Sequence, residues 1–221
     1  MNSNEISETL RQEASEYDDE CTRYIKCMKE IKSRMYLIKD IMAKGTNQDE
    51  ILFDTEFACL QFRLIIELIV LSNLAANQKL YKNSIKELKK EWRPHLILKT
   101  LEDINPNFYP VPVSMDYSKL NVLTGEGLVV EPVESGYLKK EDIIKIYYKC
   151  SAYLHAANPF AEPYDFLIRL QFPEWWRQIE WLIASHFVQL IESKRSLLVL
   201  VNFHKGTNVP DVQIIYSRGG L

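Results

Sequence analysis

Between Ile6 and Met42, apolar or semi-apolar side chains recur in steps of three and four: Ile6, Leu10, Ala14, Tyr17, Cys21, Tyr24, Met28, Ile31, Met35, Ile38 and Met42. That spacing keeps one face of an α-helix apolar and reads as a heptad-like seam. Gly45 supplies the stop, since glycine adopts the left-handed geometry that closes a helix. A helix over residues 4–44 would run roughly 55–60 Å at 1.5 Å per residue, longer than a compact domain is wide. It should therefore bend, break near its acidic start, or lie against something of equal length. Two arrangements meet that demand, an antiparallel hairpin with the next helix inside one bundle or a contact with a second subunit.

The next helix is legible from Asn47 and Glu50, a capping-box-like start, and runs to about Asn77. From Leu60 to Ala76 it is apolar nearly all round, which predicts the central, most buried helix. Glu56, Arg63 and Glu67 fall within about 40° of one another at 100° per residue. They form a charged stripe in which Arg63 and Glu67 are one turn apart. The stripe is either a structural ion-pair network or part of a polar, ligand-binding site lined by neighbouring helices.

Asn83 can cap a short helix through Trp92, in the most basic stretch of the chain, with Lys79, Lys82, Lys86, Lys89, Lys90 and Arg93. That stretch is a solvated helix face or a phosphate-contacting surface. Pro94 suits the first turn of a helix ending near Asp103. Residues 104–139 read as an irregular segment opened by prolines, with Gly127 to Val133 as a short edge strand. Glu141 to Ala157 is a helix with Ile143, Ile146, Tyr147, Cys150, Tyr153 and Leu154 inward, and Ile144, Tyr148, Ser151 and His155 on an adjacent face. A short helical piece lies between Pro163 and Pro173. An amphipathic helix then runs to about Ser193, with His186 inside as a core histidine or, alternatively, a catalytic group. Ser196 to His204 and Asp211 to Ser217 alternate as a β-hairpin, which needs a third strand or a helical surface to be stable. The fold class is mainly α, with a helical bundle over residues 1–193 and a small C-terminal β-hairpin over 194–221. At 221 residues and 47% apolar content the chain can bury a full core in one domain.

The formal charge of −3 rules out a surface that is basic throughout, while leaving room for a local RNA-binding patch. The N-terminus lacks the positive start and apolar run of a secretory signal, and Arg63 and Glu67 interrupt the most apolar segment. A cytoplasmic location and no membrane contact are expected. Cys21, Cys27, Cys59 and Cys150 form no CxxC pair and suit reduced thiols. The chain has no Gly-rich phosphate loop, no HExxH and no GxSxG, and no cysteine stands with a histidine in a readable pair. What remains is His155 at a helix end before the Pro159 stop, with Lys149 six residues earlier and Asn158 after it. An imidazole titrating near neutrality and a neighbouring cation could move protons and stabilise phosphate charge on RNA without a metal or a cofactor.

The run Tyr147 to His155, on a late helix of a helical bundle, resembles the HEPN superfamily, many of whose bacterial members carry an Arg-x(4-6)-His motif. The layout is also similar to that of uncharacterised bacterial proteins joining a Leu-Arg-x-x-x-Glu-Leu type helix, here Phe62 to Leu68, to a Leu-His-x-x-Asn-Pro helix end, here Leu154 to Pro159. The resemblance implies a bundle that dimerises, with two facing motifs forming a metal-independent endoribonuclease site in a toxin or antiviral-defence component. Carried onto this chain, His155 takes the acid–base role and Lys149 stands in the arginine position, where it keeps the charge but lacks the planar fork. Arg63 is the candidate for a second cation, and Asn158, Tyr148 and Glu67 are candidate substrate-binding residues. The alternative is a non-catalytic helical interaction protein that self-associates or holds a protein partner.

Overall fold

A computed structural model describes residues 18–44, 51–76, 93–116, 118–119, 129–155, 166–192, 195–203 and 210–216. Among the described residues five α-helices, α1 (Asp18–Ala43), α2 (Ile51–Ala76), α3 (Pro94–Ile104), α4 (Lys140–Tyr153) and α5 (Phe172–Ala184), make the fold mainly α. A 3-10 turn (Phe166–Gln171) leads into α5. Five strands, β1 (Val111–Asp116), β2 (Val129–Pro132), β3 (Ser185–Glu192), β4 (Arg195–Phe203) and β5 (Pro210–Tyr216), form one antiparallel sheet in the order β2-β1-β3-β4-β5.

The seam of α1 buries Tyr24, Met28, Ile31, Met35, Ile38 and Ile41. Those residues pack on Ala58, Cys59, Phe62, Ile65, Ile66, Ile69 and Val70 of α2, so the described part of the long helix forms the antiparallel hairpin. Arg34 donates to Gln61 Oε1 at 2.8 Å, and Lys44 meets Asp54 at 3.4 Å, which fixes the register of the two helices. The first third of the seam, Ile6 to Tyr17, lies outside the described residues, as does the basic stretch from Lys79 to Lys90. α5 closes the core against both helices of the hairpin. Phe62 stacks against Phe172 and Trp175 with centroids 5.2 and 5.4 Å away. The indole of Trp176 donates to the Met35 carbonyl at 2.9 Å. Burying a side chain such as Phe62 contributes about 1.5–3 kcal/mol.

Three local readings need correction. The amphipathic helix after Pro173 ends at Ala184, not near Ser193, because Ser185 turns extended (φ −148°, ψ 123°) and the chain continues as β3. Neither glycine nor proline marks that change. The ladder partner that decides it, β4, lies further along the chain. β3 is accordingly the third strand that the C-terminal hairpin required. The segment 104–139 is not irregular throughout: it holds β1 as well as the expected edge strand β2. Finally, α2 is not enclosed over its whole length: the all-round apolar stretch has no exposed residue from Gln61 to Ala75, but the part before it is open. Its inner face is core, but Phe53, Phe57 and Leu60 are 68%, 42% and 39% exposed.

Candidate functional site

The two faces that matter lie side by side on α2 and α4. Taking Leu60 as the centre of the outward face of α2, helical geometry puts Phe53, Phe57 and Leu64 within about 60° on one side, and Glu56, Arg63 and Glu67 within about 60° on the other. The apolar half faces α1, where the register set by Arg34 and Gln61 brings Leu37, 44% exposed, alongside. The charged half faces α4. Arg63 donates through Nε to Glu67 Oε1 at 3.1 Å, and its guanidinium lies 5.2 Å from the ring centroid of Tyr147. The stripe is therefore a surface edge, with the Arg63 and Glu67 side chains 37% and 22% exposed, not an ion-pair network inside the core.

On α4, Tyr147 and Tyr148 meet edge to face at 5.7 Å. The Tyr148 hydroxyl lies 2.9 Å from His95 Nδ1 on α3. A continuous surface run thus links Glu67, Arg63, Tyr147, Tyr148 and His95 across three helices. His95 escaped the sequence reading because nothing local ties a first-turn histidine on α3 to a tyrosine 53 residues away. Phe53, Phe57 and Leu60 escaped it because they stand at and before the start of the all-round apolar stretch, where nothing local tells a covered aromatic side chain from an open one. Only their i, i+4, i+7 spacing marks them as one stripe.

His155 is exposed just past the end of α4. Its backbone N–H bonds the Ala152 carbonyl at 3.4 Å. Lys149, one residue and about 100° around the helix from Tyr148, donates to Gln171 Oε1 at 2.8 Å, at the entry to α5. The exposed Lys149 ammonium thus links α4 to the start of α5. Asn158 lies outside the described residues. Of the sequence-derived set, the structure gathers Arg63, Glu67 and Tyr148 into one surface and sends Lys149 to another.

Two of the thiols are structural. Cys59 and Cys150 are buried where α2 meets α4. The hydrogen bond with the Cys59 thiol, and then burial, push the Cys150 thiol far above its ordinary range. Burial also raises Cys27. Thiols held protonated are poor nucleophiles. Among the described residues no group of three or more His, Cys, Asp or Glu side chains could hold a metal ion. By length and composition α2 is apolar enough to span a membrane, with mean hydropathy 1.7 over Ile51–Ala75, yet its inner face is packed against α1, α3 and α4, and Phe62 reaches α5. No family model, curated protein or solved structure matches the chain.

Proposed function

We propose that this chain is a helical interaction protein that binds through the outward face of α2. One observation carries the reading: Phe53, Phe57 and Leu60, spaced four and three residues apart, stand exposed in a single stripe with Leu37 beside them. Contiguous apolar surface is unfavourable in water unless something covers it, and a polar rim around such a patch is the usual anatomy of a docking site. The charged edge of Glu56, Arg63 and Glu67 supplies that rim. A photo-crosslinker placed by Phe57→p-benzoylphenylalanine in cells that make the protein should yield a discrete adduct, absent when the same group replaces the exposed Lys29 on α1. Equal, diffuse labelling from both positions refutes the reading.

A second reading follows from the run Arg63, Tyr147, Tyr148 and His95, because cations and half-exposed aromatic rings are what single-stranded RNA stacks on and pairs with. In it the chain is a HEPN-like, metal-independent endoribonuclease of a toxin or antiviral-defence system, with His155 as the acid–base group. RNA degradation by the wild-type chain and by His155→Ala tests it. Equal cleavage by both, or none by either, removes the catalytic role.

A further inference from the structure

We propose that the outward face of α2 binds the same face of a second copy of this chain, antiparallel, about a two-fold axis passing beside Leu60. The inference rests on the interaction reading and names its partner.

Charge decides the partner and the orientation. In an antiparallel pair centred on residue 60, residue n of one helix lies near residue 120 − n of the other. Leu60 then meets Leu60 of the second copy, and Phe57 lies within one residue rise of Leu64 of that copy, on the shared apolar edge. A two-fold axis perpendicular to the helices keeps both charged edges on the same side of the contact. Glu56 consequently falls within about one residue rise, 1.5 Å along the axis, of Arg63 of the second copy. The reciprocal pair forms by symmetry, as a two-fold interface requires, while Glu67, level with Phe53 of the second copy, stays paired with Nε of its own Arg63. A parallel pair would put the charged edges on opposite sides, each over the apolar half of its neighbour.

The groups are available for this. Glu56 is half-buried and has no ion pair among the described residues. Arg63 uses Nε on Glu67 and its flat face on Tyr147, and its two terminal nitrogens make no hydrogen bond to the described residues. Size agrees with a contact that needs its rim. Leu37, Phe53, Phe57 and Leu60 together expose on the order of 300–400 Å² of apolar side chain, taking 150–250 Å² for a whole aromatic residue. A stable interface takes about 800 Å² from each partner. The remainder must come from Leu64, the charged edge and the flank of α1.

Sedimentation velocity of the purified full-length chain from 1 to 100 μM tests this. The wild type should sediment as a dimer. Leu60→Glu should sediment as a monomer with its far-UV circular dichroism unchanged, and should melt below the wild type because dimerisation no longer stabilises the fold. Glu56→Arg and Arg63→Glu should each weaken the dimer at least tenfold, and the two together should return it to within threefold of wild type. A wild-type monomer at 100 μM overturns the proposal. So does a dimer indifferent to Leu60→Glu, or a charge-swapped pair no tighter than either single variant. A monomer that floats with vesicles of phosphatidylcholine and phosphatidylglycerol overturns it in favour of a lipid surface. A monomer that still gives a discrete heterologous adduct from position 57 in cells overturns it while leaving the interaction reading in place.

Discussion

Acid should loosen this fold through His186 by an amount that can be worked out from its surroundings. The imidazole is completely buried on β3. Its Nδ1 lies 3.2 Å from the Ile183 carbonyl, which can only accept, so Nδ1 carries the proton. Nε2 is then the acceptor for the Tyr24 hydroxyl of α1 at 2.7 Å. Burial keeps that hydroxyl neutral, far above its ordinary range, and therefore able to donate. The arrangement fits a neutral ring. Burial lowers the His186 pKa from 6.5 to about 4, with the Ile183 carbonyl opposing the shift. The unfolded chain takes up a proton near pH 6.5 and the folded chain near pH 4. The contribution of His186 to stability is accordingly intact above pH 6.5 and is lost as pH falls toward about 4, below which both states are protonated. At 1.36 kcal/mol per pKa unit the whole loss is about 3 kcal/mol, a large share of the ~5–15 kcal/mol that holds a domain together. Urea unfolding followed by tryptophan fluorescence, repeated between pH 7.5 and 4.5 on wild type and His186→Gln, isolates the effect, because every other titrating group is common to both. The wild type should lose about 2–3 kcal/mol relative to the variant over that range. Parallel pH profiles would show that His186 takes up its proton at the same pH in the folded and unfolded chain, and would refute the reasoning.

Gly136 has φ +91°, and a β-carbon there would sit 2.6 Å from Cζ3 of Trp181, so both its backbone and its space exclude a side chain. Gly136→Ala should cost at least about 2 kcal/mol, combining strain at positive φ with overpacking. Thermal unfolding within 1 °C of wild type would count against that. In the native protein Cys27, only partly buried, should react with a maleimide well before Cys59 and Cys150, which should label at the rate of global unfolding. Mass spectrometry of a time course reads the order, and early labelling at Cys150 would contradict it.

The sequence carried most of the helical layer because its signals there are local. Pro94 opens α3, Glu141 and Asp142 stand in the first turn of α4, and the three- and four-residue steps from Tyr24 to Ile38 name the buried face of α1. What it could not carry depends on partners distant in the chain. Ser185 to Glu192 fits a helical period as well as a strand, and the ladder with β4 settles the matter. Likewise, nothing between Lys149 and His155 shows that Lys149 would be drawn to Gln171. The candidate surface was half legible: the charged stripe of α2 could be drawn from spacing, but its exposure could not, because that depends on where α1, α3 and α4 leave α2 uncovered.

The sheet itself is joined by a narrow seam. β1 meets β3 over two residue pairs, Val111 with Phe187 and Pro112 with His186, whereas β3 meets β4 over the eight pairs from Ser185 with Asn202 to Glu192 with Arg195. One of the two seam residues is a proline without an N–H to give, and its carbonyl is already taken by the amide of Val133 at 2.9 Å. So slender a join splits the sheet into two cooperative units that open separately. In hydrogen exchange the amides of β1 and β2 should be released by a local detachment of that hairpin. Those in the middle of β3 and β4 should wait for the molecule as a whole to come apart.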